Sequence, residues 1–321
     1  MKALGLAAAL TAAAPLAAQT QVLVVSGLGG EPRYQESFTA TALAVARAAR
    51  ERLGVNPDDV VVLAEDSTRA PGIAGRSTRD EIAARLEALA RRAAPDGLLL
   101  VVLVGHGSAT GGEPRLNLPG PDLTAAGLAS LLDRFPTQPI VVVNAASASG
   151  DWIPALSGPR RAIITATRSG VERDETHFGR HFADGLTSDD ADRDKDGRLS
   201  VFEAFEYARR EVARVYERDQ RLQTEHALLE ADGDRVGARA PDPMTGDGAA
   251  AASIFLDGGR VSTPAGTAPT GLAAVRDSLQ REVIRLRGRK DTMAPDEYDR
   301  RLEALLVELA QLNRALRGTE R

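Results

Sequence analysis

Two stretches of unbroken apolar residues frame this chain, LLLVVLV at 98–104 and IVVV at 140–143. Neither alternates polar with apolar positions, so each predicts a strand covered on both faces, as in a parallel sheet flanked by helices. Shorter runs at 22–25, 59–63 and 162–165 predict three more strands. Between them the pattern changes to the three-and-four spacing of helices: 36–53, stopped by Gly54; a segment opening at Thr78 with Ile82, Leu86 and Leu89 on one face; and 123–132. Thr78 and Glu81 stand at capping-box spacing, the Thr78 oxygen taking a free N–H of the first turn and Glu81 reaching back. Strands and helices alternate, which predicts an α/β fold with a mostly parallel sheet and helices on both faces.

Beyond Glu175 the texture changes. Helical patterns at 178–186 and 202–216 flank an acidic run, and residues 235–270, rich in Gly, Ala, Pro and Thr, read as loop and linker with a short strand at 253–256. The tail, 271–318, returns to apolar residues three and four apart. Pro295 divides it, predicting an antiparallel helical hairpin whose apolar seam packs on the sheet domain or pairs with a second copy. The expected organisation is a signal segment at 1–18, an α/β domain at 19–234, the linker, and the hairpin.

Composition narrows the function classes. A net charge of −5 and an aromatic content of 4% leave neither a basic footprint nor a stacking surface, which argues against nucleic acid as a partner. One Lys, a short Ala/Leu stretch and small residues at Ala17 and Ala18 give the N-terminus the pattern of a cleaved export signal, implying a periplasmic or secreted protein with no membrane span after cleavage. The chain has no cysteine, which removes disulfides, thiolate metal sites and a cysteine nucleophile.

The strongest local motif is DRDKDGRLSVFE at 192–203. Asp192, Asp194 and Asp196 occupy positions 1, 3 and 5 of an EF-hand-like loop, Gly197 the sharp turn, Arg198 the position where only a carbonyl is needed, Ser200 position 9 and Glu203 position 12. Hard oxygen ligands at alternate residues wrap Ca2+. The competing reading is a solvated loop in which Ser200 and Glu203 only cap the next helix. A second acidic turn, Asp232-Gly233-Asp234, lacks the spacing and reads as a partial site or a simple turn. Gly27, Gly29 and Gly30 only faintly suggest a dinucleotide loop, because Pro32 stands where the third glycine belongs.

The segments VVLVGHGS (101–108) and VVVNAASASG (141–150), in that order after SGLGGEPRY (26–34) and before TATRSG (165–170), resemble the corresponding segments of legumain-like and caspase-like cysteine peptidases over residues 21–175. The resemblance implies a caspase-like three-layer sandwich with a cleft for a peptide or protein ligand. It places His106 on the catalytic histidine, Gly107 on its glycine, and Ser147 on the nucleophilic cysteine. Oxygen thus replaces sulfur, and a hydroxyl needs a base held in the right tautomer by a third group, whereas a thiol is intrinsically nucleophilic. Around Tyr34 the chain carries Arg33 and Gln35 where legumains have Asn and Arg, and nothing in the sequence puts Asp151 or Asp174 beside His106. The expectation is a catalytically lapsed, calcium-binding pseudopeptidase acting as a binding or scaffold module, with an endopeptidase using a Ser147–His106 dyad as the alternative. His177, His181 and His226 read as packing or surface residues.

Overall fold

The computed structural model describes residues 20–95, 97–109, 112–257 and 293–318, together with Val275, Leu279, Glu282, Val283 and Leu286. The segment 1–18, expected to be a signal, lies outside the described residues, as does most of 258–292. Ten strands are found among them: β1 (Thr20–Ser26), β2 (Val60–Ala64), β3 (Gly75–Arg76), β4 (Leu98–Val104), β5 (Gly107–Ser108), β6 (Arg115–Leu116), β7 (Leu123–Thr124), β8 (Ile140–Asn144), β9 (Arg161–Thr165) and β10 (Leu228–Glu230).

Seven of these form one sheet in the order β10-β9-β8-β4-β1-β2-β3, parallel throughout except for the edge strand β10. The apolar runs occupy its centre because both faces there are covered. Leu98, Leu100, Val102 and Val104 face one core, with α1 (Pro32–Glu51), and Leu99, Val101 and Leu103 face the other, with α2 (Arg79–Arg92), α3 (Ala125–Leu132) and α4 (Ile153–Leu156). The first core also takes Phe178 and Phe182 of α5 (Phe178–Gly185) and Phe205 of α6 (Val201–Arg218). The molecule is therefore a three-layer α/β sandwich. Strands β5, β6 and β7, two residues each, make a small antiparallel sheet after β4 that the apolar pattern did not announce.

Local starts and stops differ in instructive ways. Helix α1 begins a turn earlier than its apolar pattern, at Pro32, whose missing N–H costs nothing in a first turn. At α2 only half of the expected capping box forms: Thr78 accepts the Glu81 N–H at 3.3 Å, but the Glu81 carboxylate turns to Arg85 at 2.7 Å. The linker reading of 235–270 needs correction, since an Ala-rich run there makes α7 (Gly246–Ala252), and Ala251 and Leu256 are fully buried. The expected short strand is reduced to one antiparallel bridge, Phe255 with Ser200.

In the tail, the helix Pro295–Gly318 starts at the expected proline, and residues 275, 279, 282, 283 and 286 are helical. Val283, Leu286 and Tyr298 are buried, so part of the apolar seam faces inward, while Leu306 and Val307 stay exposed. Among the described residues no helix is long and apolar enough to cross a membrane.

Candidate functional site: a histidine–serine cleft and an acidic loop

The sheet order reverses between β1 and β4, so the loops leaving these strands open a crevice at their carboxyl ends. His106 stands there, just past β4. Its ring is held edge-on by Tyr34, at 4.6 Å between centroids, and by Phe38, at 4.9 Å, both from the first turns of α1. Arg33 lies 4.3 Å over the other side of Tyr34 and donates to its hydroxyl at 2.8 Å. Burial lowers the His106 pKa from its ordinary value, with Glu175 and Glu31 opposing and Arg33 adding to the effect. The neutral imidazole is thus favoured. The main chain is fixed by the small sheet, where the Asn117 N–H donates to the His106 carbonyl at 2.9 Å.

Ser147 lies on the loop leaving β8 and is buried. The Gly107 N–H donates to its Oγ at 3.2 Å. A Cβ on Gly107 would lie 2.3 Å from the Ser147 carbonyl oxygen, so glycine alone permits this approach of the two loops. The structure sets Gly107, the neighbour of His106, directly against Ser147. Among the described residues, however, no hydrogen bond joins the His106 ring to Ser147 or to any carboxylate. The next residue, Ala148, is buried in the left-handed region at φ 54°, its N–H donating to the Glu172 carbonyl at 2.7 Å.

The acids near this loop serve other partners. Asp151 accepts the Gly170 N–H at 3.0 Å. Buried Glu172 binds the His226 ring nitrogen Nδ1 at 2.5 Å, accepts the His226 and Arg168 N–H groups, and pairs with the Arg168 guanidinium. Sequence reasoning missed Glu172 and read His226 only as a packing or surface residue, because 54 residues separate them and neither sits in a motif. It also missed Glu225, whose carboxylate accepts the His177 and Phe178 N–H groups at the start of α5 and the Tyr216 hydroxyl. Burial pushes the Glu225 carboxyl up to about 7 against these donors.

In the acidic loop, Asp192, Asp194 and Asp196 bring carboxylate oxygens within 4.8 Å of one another. Crowding by protein atoms, then repulsion from Asp196, Glu203 and Asp192, pushes the Asp194 carboxyl up to about 7. Because Asp194 is exposed, solvent screening weakens that repulsion. These three groups fit a hard cation. Glu203 is differently employed: its Oε2 accepts the Ser200 N–H and hydroxyl, its Oε1 accepts the Arg193 N–H, and Ser200 Oγ accepts the Glu203 N–H in a complete capping box. Arg198 turns away and pairs with buried Asp257 at 2.8 Å, its guanidinium over the Phe255 ring. That pair, with the N–H of Val201 on Ile254 and of Leu256 on Leu199, ties the loop to the segment after α7. A cavity of about 460 Å3 opens beside it, between Asp194, Asp196 and Glu203 on one wall and Val283, Leu306 and Leu309 on another.

The glycine loop after β1 holds no phosphate-like cradle. The Gly29 N–H donates to Glu65 at 3.0 Å, which puts a carboxylate where a phosphate would need to lie.

No protein-family model matches the chain, and neither does any curated protein. Among solved structures it is similar to the Drosophila initiator caspase Dronc, at 10% identity and a TM-score of 0.44 over 66% of this chain and 78% of that one. It is also similar to protein GSU0716 from Geobacter sulfurreducens, at 14% identity and a TM-score of 0.43 over 70% of this chain and 95% of that one. Both likenesses are distant, and the fold stands on the strand order and register of this chain.

Proposed function

We propose that this chain is an exported caspase/legumain-like pseudopeptidase, a binding or scaffold module that keeps a cleft for a peptide or protein and is stabilised by Ca2+ at the 192–203 loop. The observation that carries the reading is the pairing of Ser147 Oγ with the Gly107 N–H while the His106 ring, clamped by Tyr34 and Phe38, hydrogen-bonds no acid or hydroxyl among the described residues. In a serine hydrolase the base takes the hydroxyl proton and a third group holds its tautomer. Here Ser147 serves as a staple between two loops and Glu172 serves His226.

Incubating the protein with a diverse peptide pool, with and without Ca2+, tests this. The expected result is no cleavage in either condition. Cleavage that vanishes in both Ser147→Ala and His106→Ala would establish the dyad and overturn the scaffold reading.

A further inference from the structure

The turn Asp232-Gly233-Asp234 has too few ligands in sequence to hold an ion, but folding brings it two more carboxylates. Glu230 comes from the end of β10 and Asp247 from the start of α7, and oxygens of all four side chains lie within 4.8 Å of one another. Each carboxylate fixes one oxygen with protein donors. Glu230 Oε1 accepts the Ser157 hydroxyl at 2.9 Å and the Gly233 N–H at 2.7 Å; Asp247 Oδ1 accepts the Ala231 N–H at 2.7 Å. Asp232 Oδ1 accepts the Asp234 N–H at 3.1 Å, and Asp234 Oδ1 the Val236 N–H at 2.7 Å.

The second oxygens are the telling ones. Glu230 is fully buried, yet its Oε2 has no hydrogen-bond partner. A buried carboxylate oxygen left unpaired is costly, and native proteins satisfy such groups with a donor, a water or an ion. No Lys, Arg or His among the described residues pairs with any of the four acids. Up to four negative charges therefore meet with no Lys, Arg or His of the described residues paired to them, and one of the four carboxylates carries a buried oxygen without a hydrogen-bond partner.

We propose that Glu230, Asp232, Asp234 and Asp247 form a second site for a hard divalent cation, with Ca2+ the best-fitting ion for four carboxylates on a loop of this kind. The ion joins three pieces of chain that already meet through side-chain carboxylates on backbone N–H groups: the antiparallel edge of the sheet, the 232–234 turn, and α7. α7 leads directly to the segment whose Phe255 bridges Ser200 of the 192–203 loop, so one helix lies between the two acidic clusters along the chain. The inference stands independently of whether the 192–203 loop binds an ion.

Titration calorimetry with CaCl2 and MgCl2, with bound metal counted after equilibrium dialysis, tests it on the full chain. In Asp192→Asn/Asp196→Asn, one Ca2+ per chain is expected to remain, and adding Asp234→Asn is expected to weaken it by about tenfold or more. Hydrogen exchange in the same loop variant is expected to slow across 228–252 on adding Ca2+, a readout that needs no further substitution. A folded Asp192→Asn/Asp196→Asn protein that binds neither ion at millimolar concentration overturns the second site while leaving the first intact if the parent protein binds one ion. Binding unaffected by Asp234→Asn, with no protection across 228–252, overturns it as well.

Discussion

Glu172 holds the imidazole of His226 at 2.5 Å, and among the described residues no carboxylate hydrogen-bonds the His106 ring. Glu172 sits beside the Ser147 loop, its carbonyl accepting the Ala148 N–H, and its side chain orients the His226 ring. The residue therefore acts on stability. Glu172→Ala would strip acceptors from two backbone N–H groups and from a ring nitrogen in a buried place. A loss of roughly 3 kcal/mol is expected, read as a lower urea midpoint at unchanged slope. An unchanged midpoint would show that the network contributes nothing.

Much of the fold was legible because the central strands are covered on both faces. All seven residues of β4 and all five of β8 are buried, and no helix pattern competes with them. What stayed hidden was short or depended on distant partners. Strand β10 has three residues and is a strand only because β9 accepts it, and β5 to β7 have two each. His106, Gly107 and Ser147 were legible as a group since each sits within four residues of a long strand's end. The pairings of Glu172 with His226, Glu225 with His177 and Asp247 with Asp232 were not, because each spans 15 residues or more and rests on loops whose course the apolar pattern does not set.

Removal of calcium and removal of a carboxylate are expected to act in opposite directions at the 192–203 loop. A ligand bound only by the folded state stabilises it by mass action, by about 2.7 kcal/mol at a hundredfold excess over Kd, so a chelator should lower the Tm of the parent protein. Asp194→Asn removes a carboxyl held under repulsion by Asp196, Glu203 and Asp192. In chelator near pH 8 it should raise the Tm slightly, solvent screening keeping the gain below about 1 kcal/mol. With Ca2+ present the variant should gain less than the parent. Equal responses of the two proteins to Ca2+ in a thermal melt would remove Asp194 from the site.

Glu225 gives the fold a pH dependence of definite sign. Burial raises its folded pKa from 4.5 to about 7, so the folded state holds the proton more tightly than the unfolded chain does. Its contribution is fully present below pH 4.5 and is lost as pH rises through about 7. At about 1.4 kcal/mol per pKa unit this amounts to roughly 3 kcal/mol between those limits. Glu225→Gln keeps an oxygen for the His177 and Phe178 N–H groups and cannot ionise. Its stability is expected to fall less than that of the parent between pH 5 and pH 8, measured by denaturant titration at each pH. Parallel curves for the two proteins would place the titration elsewhere.

Gly107→Ala tests how tightly the two loops of the cleft are joined. The added methyl would lie 2.3 Å from the Ser147 carbonyl oxygen and 3.1 Å from that of Arg115, both backbone atoms that no side-chain rotation can move. Relief requires the β4 and β8 loops to part, which lengthens the 3.2 Å hydrogen bond to Ser147 Oγ and shifts His106 relative to Tyr34 and Phe38. Overpacking of this kind costs about 1–3 kcal/mol, and a weakened buried hydrogen bond adds to it. Ser147→Ala alone removes the acceptor without the clash and should cost less, about 1 kcal/mol. The double variant distinguishes the terms: when the Gly107→Ala clash has already broken the hydrogen bond, Ser147→Ala costs nothing further, and the two losses are less than additive. Strict additivity in urea denaturation would mean that the loops stay together around the methyl, and that the contact between Gly107 and Ser147 is looser than its geometry states.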